Sequence, residues 1–106
     1  MAKYLFTVQL TQQGAAGTMK EGGTGRREVV EKMAAGLGAT IEAFYYAFGE
    51  NDVYIIVDAP DPEAVIAISL TVSASGAAAV TTTPLITAEE VDAARDRTVD
   101  YRPPGA

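Results

Sequence analysis

ATIEAFYYAFGENDVYIIVD, residues 39–58, is the stretch that decides the fold. Two runs rich in aromatic and β-branched residues flank Gly49-Glu50-Asn51-Asp52. Such residues suit a pleated, half-buried surface, and the Gly/Asn/Asp cluster between them suits a tight turn. The segment therefore reads as a β-hairpin with strands over 41–48 and 53–57.

Upstream of the hairpin, Lys3 to Thr11 alternates with strand periodicity, placing Tyr4, Phe6, Val8 and Leu10 on one face and Leu5, Thr7 and Gln9 on the other. Gln12 to Glu21 is a weak helix interrupted by glycines, and Gly22-Gly23-Thr24-Gly25 punctuates it. A stronger helix follows from Arg26 to Leu37, with Val29, Val30, Met33 and Leu37 on its apolar face. Arg27 with Glu31 and Glu28 with Lys32 stand four apart on the solvated side, and Gly38 stops the helix. Downstream, Asp61-Pro62 is a cap followed by proline in the first turn, with Val65, Ile68 and Val72 as the apolar stripe. Gly76 is placed to end that helix. Ala78 to Ile86 reads as the fourth strand. Thr87 to Glu90 has the form of a capping box, with Ile86 and Val91 as its hydrophobic staple, which predicts a short helix to about Arg97. Residues 99–106 form an extended tail, because prolines 103 and 104 do not continue a helix.

The element order predicts an α+β domain over 1–98 of ferredoxin-like βαββαβ type, an antiparallel sheet with helices on one face. The uncovered sheet face carries apolar and aromatic residues in either register of the hairpin. A homo-oligomer that packs sheet against sheet is the expected remedy.

Composition narrows the chemistry. The 106 residues suit one domain, and a hydrophobic content of 48% suits one core. A net charge of −6 argues against nucleic acid as a partner, since phosphate neutralisation needs clustered Lys and Arg. The chain has no cysteine and no histidine. That excludes disulfides, thiolate nucleophiles, Ser-His-Asp machinery, imidazole-ligated haem and His- or Cys-based metal sites. No metal and no cofactor is implied by the residues that remain. No apolar run approaches the ~20 residues needed to span a membrane, so no membrane partner is expected. MAKYLFTVQL lacks a signal-peptide layout, which makes the cytoplasm the expected location.

KYLFTVQLT (3–11), KEGGTGRREVVEKM (20–33), EAFYYAFGENDVYIIVDAPD (42–61), VSASGAAAVTTTPLITAEEVD (72–92) and YRPPG (101–105) together resemble the GYD domain family. That family consists of small bacterial proteins of unknown function. The resemblance implies a fold of the dimeric α+β barrel group, whose members include cofactor-free monooxygenases, lactone isomerases, haem enzymes and pure binding proteins. Fold alone decides little among those activities. In the family an aromatic Tyr usually stands between Gly and Asp of the turn; here Asn51 precedes Asp52, so no role passes over from that hydroxyl.

Several residues are candidates for a site. Thr24, Arg26 and Arg27 follow a glycine pair at a helix start, where free N–H groups and guanidinium charge suit a phosphate, carboxylate or enolate. The same residues also read as a helix break with solvated arginines. Tyr45, Tyr46 and Tyr54 carry hydroxyls that donate to an oxyanion or orient an aromatic ligand, while structural packing is the more ordinary role of each. Neighbours in a strand face opposite ways, so Tyr45 and Tyr46 do not line the same pocket. Asp52, with Glu50, reads either as a base or as a carboxylate bonded to its own turn. Thr81 and Thr83 share a strand face, and Glu89, Asp92 and Asp96 share a solvated helix face. Tyr101, Arg102, Pro103 and Pro104 combine an aromatic, a guanidinium and rigid prolines, which suits an oligomer interface.

Three function classes follow. The first is a homo-oligomeric protein that binds a small anionic or aromatic molecule. The second is a cofactor-independent isomerase or monooxygenase whose base is Asp52, Glu42, Glu50 or a tyrosinate. The third is an assembly or accessory subunit whose C-terminal tail docks on a neighbour.

Overall fold

A computed structural model describes residues 1–106. The chain runs β1 (Ala2–Leu10), α1 (Gln12–Glu21), α2 (Gly23–Ala35), β2 (Thr40–Tyr46), β3 (Val53–Ala59), α3 (Pro62–Ala74), β4 (Ala78–Leu85) and α4 (Ala88–Arg95). Local chemistry sets most of these boundaries. Thr11 caps α1 by accepting the Gly14 N–H, and Asp61 caps α3 by accepting the Ala64 N–H at 2.8 Å. The Thr87–Glu90 capping box at α4 is complete in both directions.

Several boundaries shift by one to three residues from the sequence reading, and two of the shifts have a clear backbone cause. The second helix begins at Gly23 rather than Arg26, because Gly22 alone makes the break at φ +81° and the next three residues are already helical. β2 ends at Tyr46 rather than 48. Phe48 turns into the left-handed region at φ +55°, an uncommon conformation for an aromatic residue, and so leaves the strand.

The four strands form one antiparallel sheet in the order β2-β3-β1-β4. Read from the other edge this is 4-1-3-2, the arrangement of the ferredoxin-like split βαβ motif. β1 is central, with Phe6 opposite Ile55 on one side and Thr82 on the other. Phe6, Val8, Val53, Ile55 and Val57 form the covered face, and Ala34 of α2 with Val65 and Ile68 of α3 close over it. Val57 and Val65 are the largest side chains that are fully buried.

The pairing of β2 with β3 shifts between Ile41 and Ala43, so Glu42 is the extra residue of a β-bulge. A bulge reverses which residues face the core beyond it. Ile41 packs on the core before the bulge, and Phe44 and Tyr46 do so after it. On the open face, Leu5, Thr7, Tyr45, Tyr54, Ile56, Thr81 and Thr83 lie across neighbouring strands. Lys3 ends that face, donating to Glu42 Oε2 at 2.6 Å and Asp58 Oδ2 at 2.8 Å. Its ammonium pKa is raised, first by the Asp58 bond and then by the Glu42 bond.

The packed body ends at Leu85, and every residue from 86 to 106 is exposed. This arm accounts for the 58 Å long axis and for a radius of gyration of 17.1 Å; a compact chain of this length would have about 13 Å. No helix is long and apolar enough to cross a membrane.

Asp52 holds the hairpin to the sheet. Its backbone N–H donates to the Val8 carbonyl and its Oδ2 accepts the Leu10 N–H, both at 2.8 Å. The side chain thus adds one rung to the ladder beyond the end of β3. Asp52→Ala strands the partly buried Leu10 amide and should lower unfolding free energy by about 1–3 kcal/mol in urea denaturation.

Candidate functional site

α2 rests on β2, while α3 rests on β3 and β4, so the two helices diverge above the sheet. The gap between them is a cleft of about 440 Å³. Its floor is the covered face of the sheet, with Phe6, Val8, Phe44, Tyr46 and Ile55. Val29, Val30 and Met33 of α2 form one wall, and Ile68, Thr71 and Val72 of α3 form the other. α1 crosses one end, presenting Gln13, Gly14, Gly17 and Thr18. A cavity of this size with mostly apolar walls and a few polar groups fits a small organic ligand.

Glycine makes the α1 end of the cleft. A Cβ on Gly14 would lie 2.0 Å from the Ala77 carbonyl oxygen, so only glycine allows α1 to approach this closely. At Gly17 a Cβ would meet nothing within 4 Å, so the absent side chain leaves open space along the cleft.

Arg26 and Tyr46 are the only ionisable side chains in the lining. The Tyr46 hydroxyl donates to the Gly23 carbonyl at 3.1 Å, joining β2 to the first turn of α2. Its ring meets Phe44 edge-on at 5.4 Å and stacks on Phe48 at 5.7 Å. Burial raises the Tyr46 pKa, while the positive charges of Arg26 and Arg27 oppose that shift. At neutral pH the hydroxyl keeps its proton and acts as a donor. A side chamber of about 210 Å³ adjoins the cleft, lined by Gly23, Thr24, Arg27, Phe44 and Tyr46. Phe44 and Tyr46 line both spaces. Arg26 lies 3.1 Å from Glu21 and Arg27 lies 3.5 Å from Glu31, both as half-exposed ion pairs.

The structure thus brings Thr24, Arg26, Arg27 and Tyr46 to one place. Tyr45 and Tyr54 stand opposite each other on the other face of the sheet, where Asn51 Nδ2 donates to the Tyr54 hydroxyl at 3.3 Å. Thr81 and Thr83 share that open face, and Asp52 is bonded to Leu10. Glu42 pairs with Lys3, while the Glu50 carbonyl accepts from Gln9 Nε2 at 3.2 Å. Glu89, Asp92 and Asp96 are exposed on or just after α4, and no group of three acidic side chains converges as a metal cage. Tyr101, Arg102, Pro103 and Pro104 are exposed in the arm. Sequence reasoning did not single out Gly14, Gly17 or Phe44. Two glycines and a threonine on one face of α1 were the available signal for a close contact beside a space.

These features define a ferredoxin-like α+β domain with an apolar cleft between its sheet and its helices. The model of the GYD domain family matches residues 4–94, and the chain belongs to that family. No curated protein and no solved structure matches it.

The Tyr46 proton gives the fold an alkaline signature. A folded pKa above the ordinary value means that the native state holds the proton more tightly than the unfolded chain. This contribution is full below about pH 10 and is lost as pH rises through the folded value. Lys3 acts in the same direction. Melting temperature should therefore fall above about pH 10, and Tyr46→Phe should make that fall shallower. An unchanged alkaline slope in the variant would remove Tyr46 from this account.

Proposed function

We propose that this protein is a homo-oligomer that binds a small anionic or aromatic molecule in the cleft of each subunit. The observation that carries this reading is an apolar cavity whose ionisable lining consists of one arginine and one protonated tyrosine. Such a lining orients a ligand by one or two polar contacts and holds the rest by burial. The isomerase or monooxygenase alternative has less support, because no carboxylate lines the cleft and burial opposes a tyrosinate at Tyr46. Glu42, Glu50 and Asp52 all lie outside it.

The oligomer rests on two uncovered surfaces. One is the open sheet face, where Tyr45 is 70% exposed beside Tyr54, Ile56 and Leu5. The other is the arm, where Ile86, Val91, Val99 and Tyr101 all stand in solvent. A second copy that covers the sheet face and also meets the arm converts both from exposed apolar surface into interface. The arm also supports the assembly-subunit reading, in which Tyr101, Arg102, Pro103 and Pro104 anchor on a neighbour.

A thermal-shift panel of small aromatic and aliphatic carboxylates tests the binding site. Ligands should raise the melting temperature of the native chain and do so less or not at all for Gly17→Leu, since leucine there enters the open space beside the cleft and narrows it from α1. The unliganded variant should itself be more stable by up to about 1 kcal/mol, because glycine is replaced inside a helix.

Light scattering tests the assembly, with a dimer or larger species expected at micromolar concentration. Truncation after Val99 should then lower the oligomeric state or cost a few kcal/mol of stability, as loss of interface anchors does. An unchanged mass and melting temperature would show that the tail takes no part.

A further inference from the structure

We infer that the ligand is an amphipathic monoanion, with an apolar body of ring-system size in the large chamber and one carboxylate or sulfonate head between Arg26 and Arg27. The inference rests on the cleft being the binding site. The chain carries a net charge of −6, yet no acidic side chain lines either chamber. Arg26 reaches the large chamber, Arg27 reaches the small one, and Tyr46 lines both. Apolar body space and basic head space therefore share the walls formed by Phe44 and Tyr46.

Both guanidinium groups lie close enough to the Tyr46 hydroxyl to oppose the upward push of burial on its pKa, although burial outweighs them. Each arginine holds a glutamate in a half-exposed pair, at 3.1 Å for Glu21 and 3.5 Å for Glu31. Exposed pairs of this kind are worth at most about 1 kcal/mol, so a ligand anion in a drier setting displaces a glutamate at small cost. Two arginines and two glutamates sum to zero, which suits one added negative charge better than two. Thr24 supplies a neutral donor beside it, while the Tyr46 hydroxyl is held by the Gly23 carbonyl.

Two fluorescent probes that share one ring system separate the head from the body. 8-Anilinonaphthalene-1-sulfonate carries the anion, and N-phenyl-1-naphthylamine lacks it. Fluorescence titration of the full chain at low salt should give one sulfonate probe per chain, bound about tenfold tighter than the neutral one. The double variant Arg26→Gln, Arg27→Gln should reduce the sulfonate probe to the affinity that the neutral probe shows for the same variant. Gly17→Leu, with native circular dichroism, should exclude both. Equal affinities in the native chain, or a sulfonate probe indifferent to the arginine variant, would overturn the anionic head while leaving the cleft as a site for a neutral ligand. If Gly17→Leu binds both probes as the native chain does, they sit elsewhere and the cleft itself fails as the site.

Discussion

A clasp between the start of α1 and the turn before β4 sets the geometry on which the cleft depends. Thr11 donates from its N–H to the Ala77 carbonyl at 3.0 Å and from its hydroxyl to the Gly76 carbonyl at 2.7 Å. The same hydroxyl oxygen accepts the Gly14 N–H as the helix cap. Gly14 then lies against the Ala77 carbonyl at a distance that no side chain tolerates. These contacts tie α1 to the β4 end of the sheet, while α2 continues over β2 at the other edge. The first crossover is therefore spread over two helices, and α3 meets neither closely enough to fill the space between them. An apolar layer that would otherwise close into core is held open.

The fold was legible because local signals agreed with one another. The alternation in 3–11, the Asp61-Pro62 start and the Thr87–Glu90 box each pointed to the element that forms. The placement of the tyrosines was less legible, and the bulge at Glu42 is the reason. Simple alternation from an inward Ile41 would turn Tyr45 toward the core; the extra residue turns Phe44 and Tyr46 there instead. Bulges are set by how two strands fit, a property of the pair that one strand's pattern does not carry. Asp52 was open between base and turn carboxylate, and its partner, the Leu10 amide, lies far away in sequence. Gly14 and Gly17 looked only like weak helix formers. Their value is in what they leave out, which is visible only once the neighbouring surfaces are in place.

Body and arm are stabilised in different ways. The body has a core shared by the sheet, α2 and α3. α4 has 8 residues, none of them buried, and keeps its shape through the capping box and its own backbone bonds. A helix that short is marginal alone in water. Its order is thus the more sensitive to whatever surface it meets, which places the changeable part of the molecule at the end remote from the cleft.

The central position of β1 has a consequence for how the chain is made. Of the four strands of this sheet β1 is made first, and its two edges are completed by β3 and then by β4. At synthesis rates of about 5–20 residues per second, an apolar strand waits roughly 2–10 s with unpaired backbone on both sides, and roughly 4–15 s before its second edge is covered. During that interval α1 and α2 emerge, but neither supplies strand edges. The same topology that buries Phe6 most securely in the finished protein makes residues 2–10 the segment most exposed to mispairing during its birth.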